Sequence, residues 1–234
     1  MVNESGKLLN FRWGSNRWAG SAISDDGKHM TMVSDYQGRG QILVSHTSGG
    51  VSGTSWQDTG GFGGTWSDVC MSSGGNIQYV CSDKDKTYKS TTSGNTWVEL
   101  SAADVNVNRR WKCCACSSNG SVVAFGWGSG YGYIYISTDA GATFTTADID
   151  EGVGKNWKDI SMSNDGTKML ACNLDGEIWF SNDTGVTWHR ETVASAVEWV
   201  GIAMSGDGTK ATAVSVERFG TPRLPGHVWT ATIN

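Results

Sequence analysis

The sequence predicts an all-β chain: one five-bladed β-propeller over residues 1–234, with four antiparallel strands per blade. Three observations predict it. The 234 residues include 32 glycines and two prolines, a composition of many turns and few helix signals. A unit opening on tryptophan recurs five times, at Trp18, Trp66, Trp111, Trp157 and Trp199, with spacings of 48, 45, 46 and 42 residues. In its clearest copy, Trp157 to Ser163 is apolar on alternate residues, the period of a half-buried strand.

That copy supplies the elements in order. A strand runs from Trp157 to Ser163, and Asn164-Asp165-Gly166 turns the chain, because Asp-Gly supplies the positive φ of a tight hairpin. Met169 to Cys172 is the second strand, Asp175-Gly176 the next turn, and Glu177 to Phe180 the third strand. A Ser181–Trp188 octet leads into a fourth. The other units repeat this plan. Their first strands close on Ser24, Ser72, Ser117 and Ser205, followed by Asp26-Gly27, Gly74-Gly75, Asn119-Gly120 and Asp207-Gly208. Third strands follow at 41–44, 87–89, 133–136 and 227–230. The fifth unit lacks an octet and a fourth strand before Asn234. Residues 4–11 read as the missing half-octet and strand, with Leu9 at the place of Trp97 and Trp188. The N-terminus is therefore expected to complete the last blade, close the ring and remove its open edge.

The octet S-x-D-x-G-x-T-W resembles the Asp-box, or BNR repeat, of sialidases and other propellers. Two copies are complete, with Asp139, Gly141 and Phe144 in one and Asp183, Gly185 and Trp188 in the other. A third has Thr92 in the Asp position, and a fourth carries an insertion between Gly49 and Trp56. The motif has a mechanism: the carboxylate bonds N–H groups of its own turn, glycine takes a conformation other residues resist, and the aromatic plugs between sheets. These residues are expected to be structural. The resemblance places ligand sites at the opposite end of the ring, where fourth-to-first and second-to-third connections lie.

Composition excludes several classes. A net charge of −5 offers no basic face for non-specific nucleic-acid binding. No 18-residue apolar run exists to cross a membrane, and the first residues lack a signal-peptide core. The expected setting is cytoplasmic or virion-associated rather than classically secreted. No cofactor motif is present. Cys81 and Cys172 share a position held elsewhere by Val33, Gly126 and Val214, and Cys116 shares one with Ile23, Met71, Met162 and Met204. All six cysteines, with Cys70, Cys113 and Cys114, read as small hydrophobes and free thiols. The run Cys113-Cys114-Ala115-Cys116 lacks C-x₂-C pairs and histidine partners, so no metal site is expected.

Seven of eight arginines fall in the connections opposite the Asp-boxes: Arg12, Arg17, Arg39, Arg109, Arg110, Arg218 and Arg223. Trp13, Tyr36, Phe62, Trp127, Tyr131 and Phe219 accompany them. Guanidinium forks match carboxylates, sulfates and phosphates, and aromatic faces stack on sugar rings. Arg17-Trp18 and Arg110-Trp111 repeat one pair in two units. Arg17, Trp18, Arg39, Arg110, Trp111, Trp127, Tyr131 and Arg218 are therefore the candidate ligand-binding residues. Carboxylates such as Asp35, Asp58, Asp83 and Asp85 share that end, so a salt-bridged rim fits its composition as well as an anion site does. The repeated tryptophans fit a wedge between blades better than a ring of sugar platforms.

Three function classes compete. A non-catalytic lectin-like module for glycans or anionic groups suits a short chain of near-equal blades, similar in size and blade number to tachylectin-type lectins, whose repeat motif differs. A protein-binding scaffold, as in assembly factors, receptor ectodomains or a phage or viral surface protein, is the alternative. The sialidase reading requires an arginine triad, a tyrosine activated by glutamate and an aspartic acid, in a longer six-bladed domain. Its Phe/Tyr-Arg-Ile/Leu-Pro signature has only Pro222-Arg223-Leu224-Pro225 as a partial match, with proline in the aromatic position and close to the C-terminus.

Overall fold

The computed structural model describes residues 17–46, 56–59, 63–147, 149, 154–191, 197–216 and 226–233. Every regular element among them is a strand, and there are nineteen. The first antiparallel meander comprises β1 (Arg17–Ile23), β2 (Met30–Gly40), β3 (Ile42–Ser45) and β4 (Trp56–Asp58). The second comprises β5 (Gly64–Met71), β6 (Gln78–Asp85), β7 (Thr87–Ser90) and β8 (Val98–Glu99). The third comprises β9 (Arg109–Cys116), β10 (Val123–Gly132), β11 (Ile134–Ser137) and β12 (Thr145–Thr146). The fourth comprises β13 (Lys155–Met162), β14 (Met169–Asn173), β15 (Ile178–Ser181) and β16 (His189–Arg190). The last comprises β17 (Glu198–Met204), β18 (Lys210–Val216) and β19 (Val228–Thr232). The fourth strand expected there from residues 4–11 lies outside the described residues.

The registers confirm the alignment of the units. Val33, Cys81, Gly126, Cys172 and Val214 pair with Gly20, Asp68, Cys113, Asp159 and Gly201. Each first-to-second pairing shifts register beside the opening tryptophan, a bulge that re-aims one side chain. The re-aimed ring packs on the sheet of the preceding unit. Trp66 joins Val33, Ile42 and Val44. Trp111 joins Tyr79 and Cys81, Trp157 joins Ala124, Ile134 and Ile136, and Trp199 joins Leu170, Cys172 and Ile178. These four indoles are fully buried. Burying 150–250 Å² apiece contributes about 4–6 kcal/mol of gross transfer free energy each.

In one respect the strands differ from expectation. Residues 36–39 and 127–132 were expected in connections but lie in β2 and β10, which run for 11 and 10 residues. Their far ends pair with the next meander: Asp35 with Thr65, Gly40 with Gly64, Gly128 with Asn156 and Gly132 with Lys155. Asp83 and Asp85 pair with Arg110 and Arg109 in the same way. That pairing satisfies backbone groups that a free loop would leave to water.

At the other end, the serine that closes each first strand organises the turn. Ser163 Oγ accepts the N–H of Lys168 at 3.0 Å and donates to Asp165 at 2.6 Å, while Gly166 takes φ 75°. Successive turns are joined by backbone bonds, from Asp25 to Ser73, Ser73 to Ser118, Ser118 to Asn164 and Asn164 to Gly206. The Asp-boxes sit at this end too. Asp183 accepts from Ser181 Oγ at 2.8 Å, Thr187 N at 2.9 Å and Thr187 Oγ1 at 2.5 Å, and Gly185 N donates to Ser181 Oγ at 2.9 Å. Asp139 repeats this set, and Phe144 and Trp188 are buried beneath. Thr92 reproduces it with a single oxygen on Thr96. The residue before each box glycine, Ser93, Ala140 or Thr184, also has positive φ.

The six cysteines are free thiols. Burial pushes Cys172 up to about 12, and Cys70, Cys81, Cys113 and Cys114 well above the usual thiol range.

Two half-buried carboxylates tie first strands together. Asp68 accepts from Val69 N at 2.8 Å and, in the next meander, from Cys114 N at 2.9 Å. Asp159 accepts from Ile160 N at 2.9 Å and Ile202 N at 2.8 Å. Burial raises Asp68 to about 7 and Asp159 to about 6, against the pull of those N–H groups.

Two predictions follow from these contacts. Asp183→Ala and Asp139→Ala should each lower Tm by about 2–4 °C in thermal unfolding, the shift expected in a chain of this size. Thr92→Asp, which restores the second oxygen, should raise it. Hydrogen bonds from Thr187 hold Asp183 down at about 2, so its contribution is complete above pH 4 and is lost as pH falls toward 2. Asp68 and Asp159 act in the opposite sense. They keep their protons to higher pH when folded than when unfolded, so stability falls as pH rises from about 4 to about 7. In a pH series of melts, Asp68→Asn with Asp159→Asn should lower the acid-side Tm, because an amide oxygen accepts only on one side. The same pair should also flatten the decline toward neutrality.

Candidate functional site

The end opposite the Asp-boxes holds the starts of β1, β5 and β9 and the ends of β2 and β6. A cleft of about 250 Å³ opens there, lined by Arg17, Asp35, Thr65, Ser67, Asp83 and Lys112, with Trp18 and Trp66 at its side. Strand pairing fixes these positions: Arg17 lies opposite Asp35, Thr65 opposite Asp35 from the other side, and Asp83 opposite Arg110.

Charge is unevenly committed. Asp83 receives Lys112 Nζ at 2.5 Å and Arg110 Nε at 3.1 Å. Burial alone would raise its carboxyl, but these two hydrogen-bonded cations hold it below the ordinary carboxylate range. The Thr65 hydroxyl donates to the Asp83 carbonyl. Among the described residues Arg17 and Asp35 make no ion pair, and Arg17 is exposed. The cleft therefore offers one uncommitted guanidinium, one uncommitted carboxylate and the Ser67 hydroxyl, beside a neutralised Asp83–Arg110–Lys112 triad.

The expected site residues separate into groups. Arg17 and Trp18 line the cleft, and Arg110 reaches its rim through Asp83. Trp111 is a correction. It is fully buried against Tyr79 and Phe125, so its indole offers no face to a ligand. Trp127 is half-buried and already occupied. The Arg109 guanidinium lies 4.8 Å from its ring centroid, 4.8 Å from that of Tyr135 and 5.7 Å from that of Trp111. Arg109 also donates to the Asp104 carbonyl at 3.1 Å. Arg39 is exposed at the far end of β2, and Tyr131, 80 % exposed, stands on the tip of β10. Arg218, Arg12, Arg223, Trp13, Phe62 and Phe219 lie outside the described residues, as does the side chain of Tyr36.

Lys112 was missed by sequence reasoning, although it directly follows an opening tryptophan, the position that Ser67 and Ala19 share in two other units. A second polar cluster was also missed. Buried Glu177 receives Lys155 Nζ at 3.2 Å, Arg190 Nη1 at 3.2 Å, Asn173 Nδ2 at 2.8 Å and Trp179 Nε1 at 3.1 Å. Burial would raise Glu177, and these donors hold it below its usual range. The pairing of the residue before the third strand with the last residue of the fourth recurs as Gln41–Asp58 at 2.7 Å and Lys86–Glu99 at 2.6 Å. It is a structural cross-strand pair whose polarity is reversed in the fourth meander.

A cavity of about 530 Å³ lies elsewhere, along the last meander between Met204, Lys210, Thr212, Thr230 and Thr232. Alanines and hydroxyl side chains make up the rest of its lining, and it follows β19, beside which no fourth strand is described.

No protein-family model matches the chain, and no curated protein matches it. Solved structures do. An ancestral GH74 enzyme aligns with TM-score 0.69 at 17 % identity, over 92 % of this chain and 30 % of its own. A structure of the nidogen/laminin complex aligns with TM-score 0.64 at 10 % identity, over 85 % of this chain and 72 % of the other. YCF48 bound to D1 peptide aligns with TM-score 0.59 at 13 % identity, over 86 % and 63 %. The chain thus spans under a third of the GH74 enzyme's length. At these identities the likeness carries the fold, and the fold is an all-β propeller of antiparallel strands.

Proposed function

We propose that this protein is a non-catalytic binding module that seats a hydroxyl-rich group of a glycan in the cleft of Arg17, Asp35 and Ser67. The observation that carries this reading is the uncommitted guanidinium and carboxylate facing one monosaccharide-sized space. A carboxylate accepts from two neighbouring hydroxyls, and a guanidinium donates to a ring or carboxylate oxygen. Arg110 belongs to the rim, because Asp83 already neutralises it. Two features favour binding over hydrolysis. Asp83 is held ionised by its cations, which removes it as a proton donor near neutrality. Asp68 keeps a proton, but its oxygens are spent on Val69 and Cys114 N–H groups.

A second reading rests on Tyr131. An exposed aromatic on the Gly128–Gly132 tip is the kind of anchor that protein interfaces use. Two of the structural neighbours are complexes with protein or peptide partners, nidogen with laminin and YCF48 with D1 peptide.

The same proposal takes the five meanders as five blades of a closed ring. Trp18 is 45 % exposed where Trp66 is buried, and Val214 and Val228 are 43 % and 73 % exposed where their counterparts Val33 and Ile42 are buried. These are the two halves of a fifth seam with the composition of the other four. Residues 4–11 would add the fourth strand to β19, with Leu9 in the position of Trp97 and Trp188.

A glycan array probed with the purified chain tests the function. Arg17→Ala or Asp35→Ala should weaken a hit tenfold or more, since a charge-assisted bond contributes about 1.5–3 kcal/mol, and Arg110→Ala should change it less. Absence of any glycan hit, or hits indifferent to Arg17 and Asp35, would move the function to a protein partner; turnover of a fluorogenic sialoside would make it an enzyme. Closure is tested by deleting residues 1–12. The shortened chain should aggregate or lose cooperative unfolding, and melting like the full chain would overturn the closed ring.

A further inference from the structure

Two histidines meet at the Asp-box end, on the seam between the first and second meanders. His29 precedes β2 and His46 follows β3. Their Nδ1 atoms lie 3.0 Å apart, with ring centroids at 5.3 Å and planes at 68°. On its other side, His46 Nε2 lies 3.0 Å from Oδ1 of Asn95, in the box of the second meander. An amide oxygen only accepts, so Nε2 of His46 carries that ring's proton and its Nδ1 presents a lone pair.

Packing does not call for this pair. The residue at the His29 position covers the turn glycine of the next unit. Ile77 does so over Gly120 and Val122 over Gly166, and Lys168 over Gly208, as His29 does over Gly75. Aliphatic chains serve there. The backbone nevertheless holds His29 firmly: its N–H donates to Ser24 Oγ at 3.0 Å, and a Cβ on Gly75 would come within 2.6 Å of the His29 Cβ.

We propose that His29 and His46 bind one divalent transition-metal ion, of the zinc, nickel or copper class, through their Nδ1 atoms. Two imidazole nitrogens on a tetrahedral zinc at about 2.0–2.1 Å stand about 3.3 Å apart, so the pair opens by a few tenths of an ångström to admit the ion. In the free pair His29 Nδ1–H donates to His46 Nδ1. On binding, that proton moves to His29 Nε2, both Nδ1 lone pairs turn to the metal, and no net proton is released. Asn95 then stands as the outer-shell acceptor that fixes the ring and tautomer of His46. No third His, Cys, Asp or Glu converges on the pair among the described residues. Both ligands belong to the first meander, and the hydrogen bond from His46 to Asn95 joins the site to the second.

Titration of the purified chain with zinc chloride or nickel chloride in a calorimeter tests this. One saturable equivalent is expected, together with a rise in Tm. His29→Asn and His46→Asn should each abolish that equivalent while keeping the far-ultraviolet circular dichroism of the native chain. Asn95→Ala should weaken it by about 10- to 100-fold through the outer shell. His189 and His227 serve as background, and replacing them should change nothing. No saturable binding by the native protein, or the same binding by the His29→Asn, His46→Asn double variant, would overturn the site.

Discussion

The buried tryptophan that opens each unit from the second to the fifth is the contact on which the rest of the architecture depends. A meander of four short strands has one face too apolar for water and cannot cover it alone. The next unit covers it by inserting an indole, and a bulge in the first strand aims that indole sideways across the seam instead of along the pleat. Two other linkages hold the seam at fixed width. On one side, backbone bonds run from turn to turn through Ser73, Ser118 and Asn164. On the other, the overlong second strands pair with the next unit's first strand. A ring larger than indole would spread both linkages, and a smaller one would leave a cavity that they prevent from collapsing.

This explains what was legible in the sequence. The seam demands the same bulky residue at one place in every unit, so the tryptophan spacing exposes the repeat. The closing serine is equally legible, because one hydroxyl both accepts from the start of the second strand and donates to the turn carboxylate or amide. Residues whose partners lie in a different unit were not. Trp-x-Asp is visible at Trp66-Ser67-Asp68 and Trp157-Lys158-Asp159, but the N–H groups those carboxylates reach are 46 and 43 residues away. Trp127 looked like a free platform in a loop. The bulge in β9 brings Trp111 opposite it, where Arg109 fills the space between the rings. The candidate cleft was half legible for the same reason. Arg17 stood out by its type, whereas Asp35 and Lys112 acquire their meaning from strand registers that no local pattern displays.

The axial carboxylates also make the units unequal. Asp68 and Asp159 stand in the second and fourth first strands, and the matching positions in the others are Gly20, Cys113 and Gly201. At Gly20 the small residue is a steric requirement as well as an absence of charge. A Cβ at Gly20 would lie 2.7 Å from the Asp68 carboxylate, because that side chain projects back toward the first strand while bonding forward to the third. Packing therefore keeps the first unit free of a side chain beside Asp68. With an odd number of units, two of the carboxylate-free kind must meet if the ring closes.

The division of labour between the two ends has the same origin. At the Asp-box end nearly every polar atom is used within its own turn or the next: Ser163 with Asp165 and Lys168, Ser181 with Asp183 and Gly185. Few positions there can change without breaking a bond that every unit makes. At the opposite end the seam rests on backbone pairing in which Gly40, Gly64 and Gly132 leave no room for a Cβ, while the residue before each opening tryptophan is left open. The residue before the opening tryptophan is accordingly Arg17, Thr65, Arg110, Asn156 or Glu198, five chemistries at one backbone position. A repeat that leaves this one position open in every unit lets that end differentiate. Uncommitted charge accumulates where the fold has no use for it, and Arg17 and Asp35 are such charges.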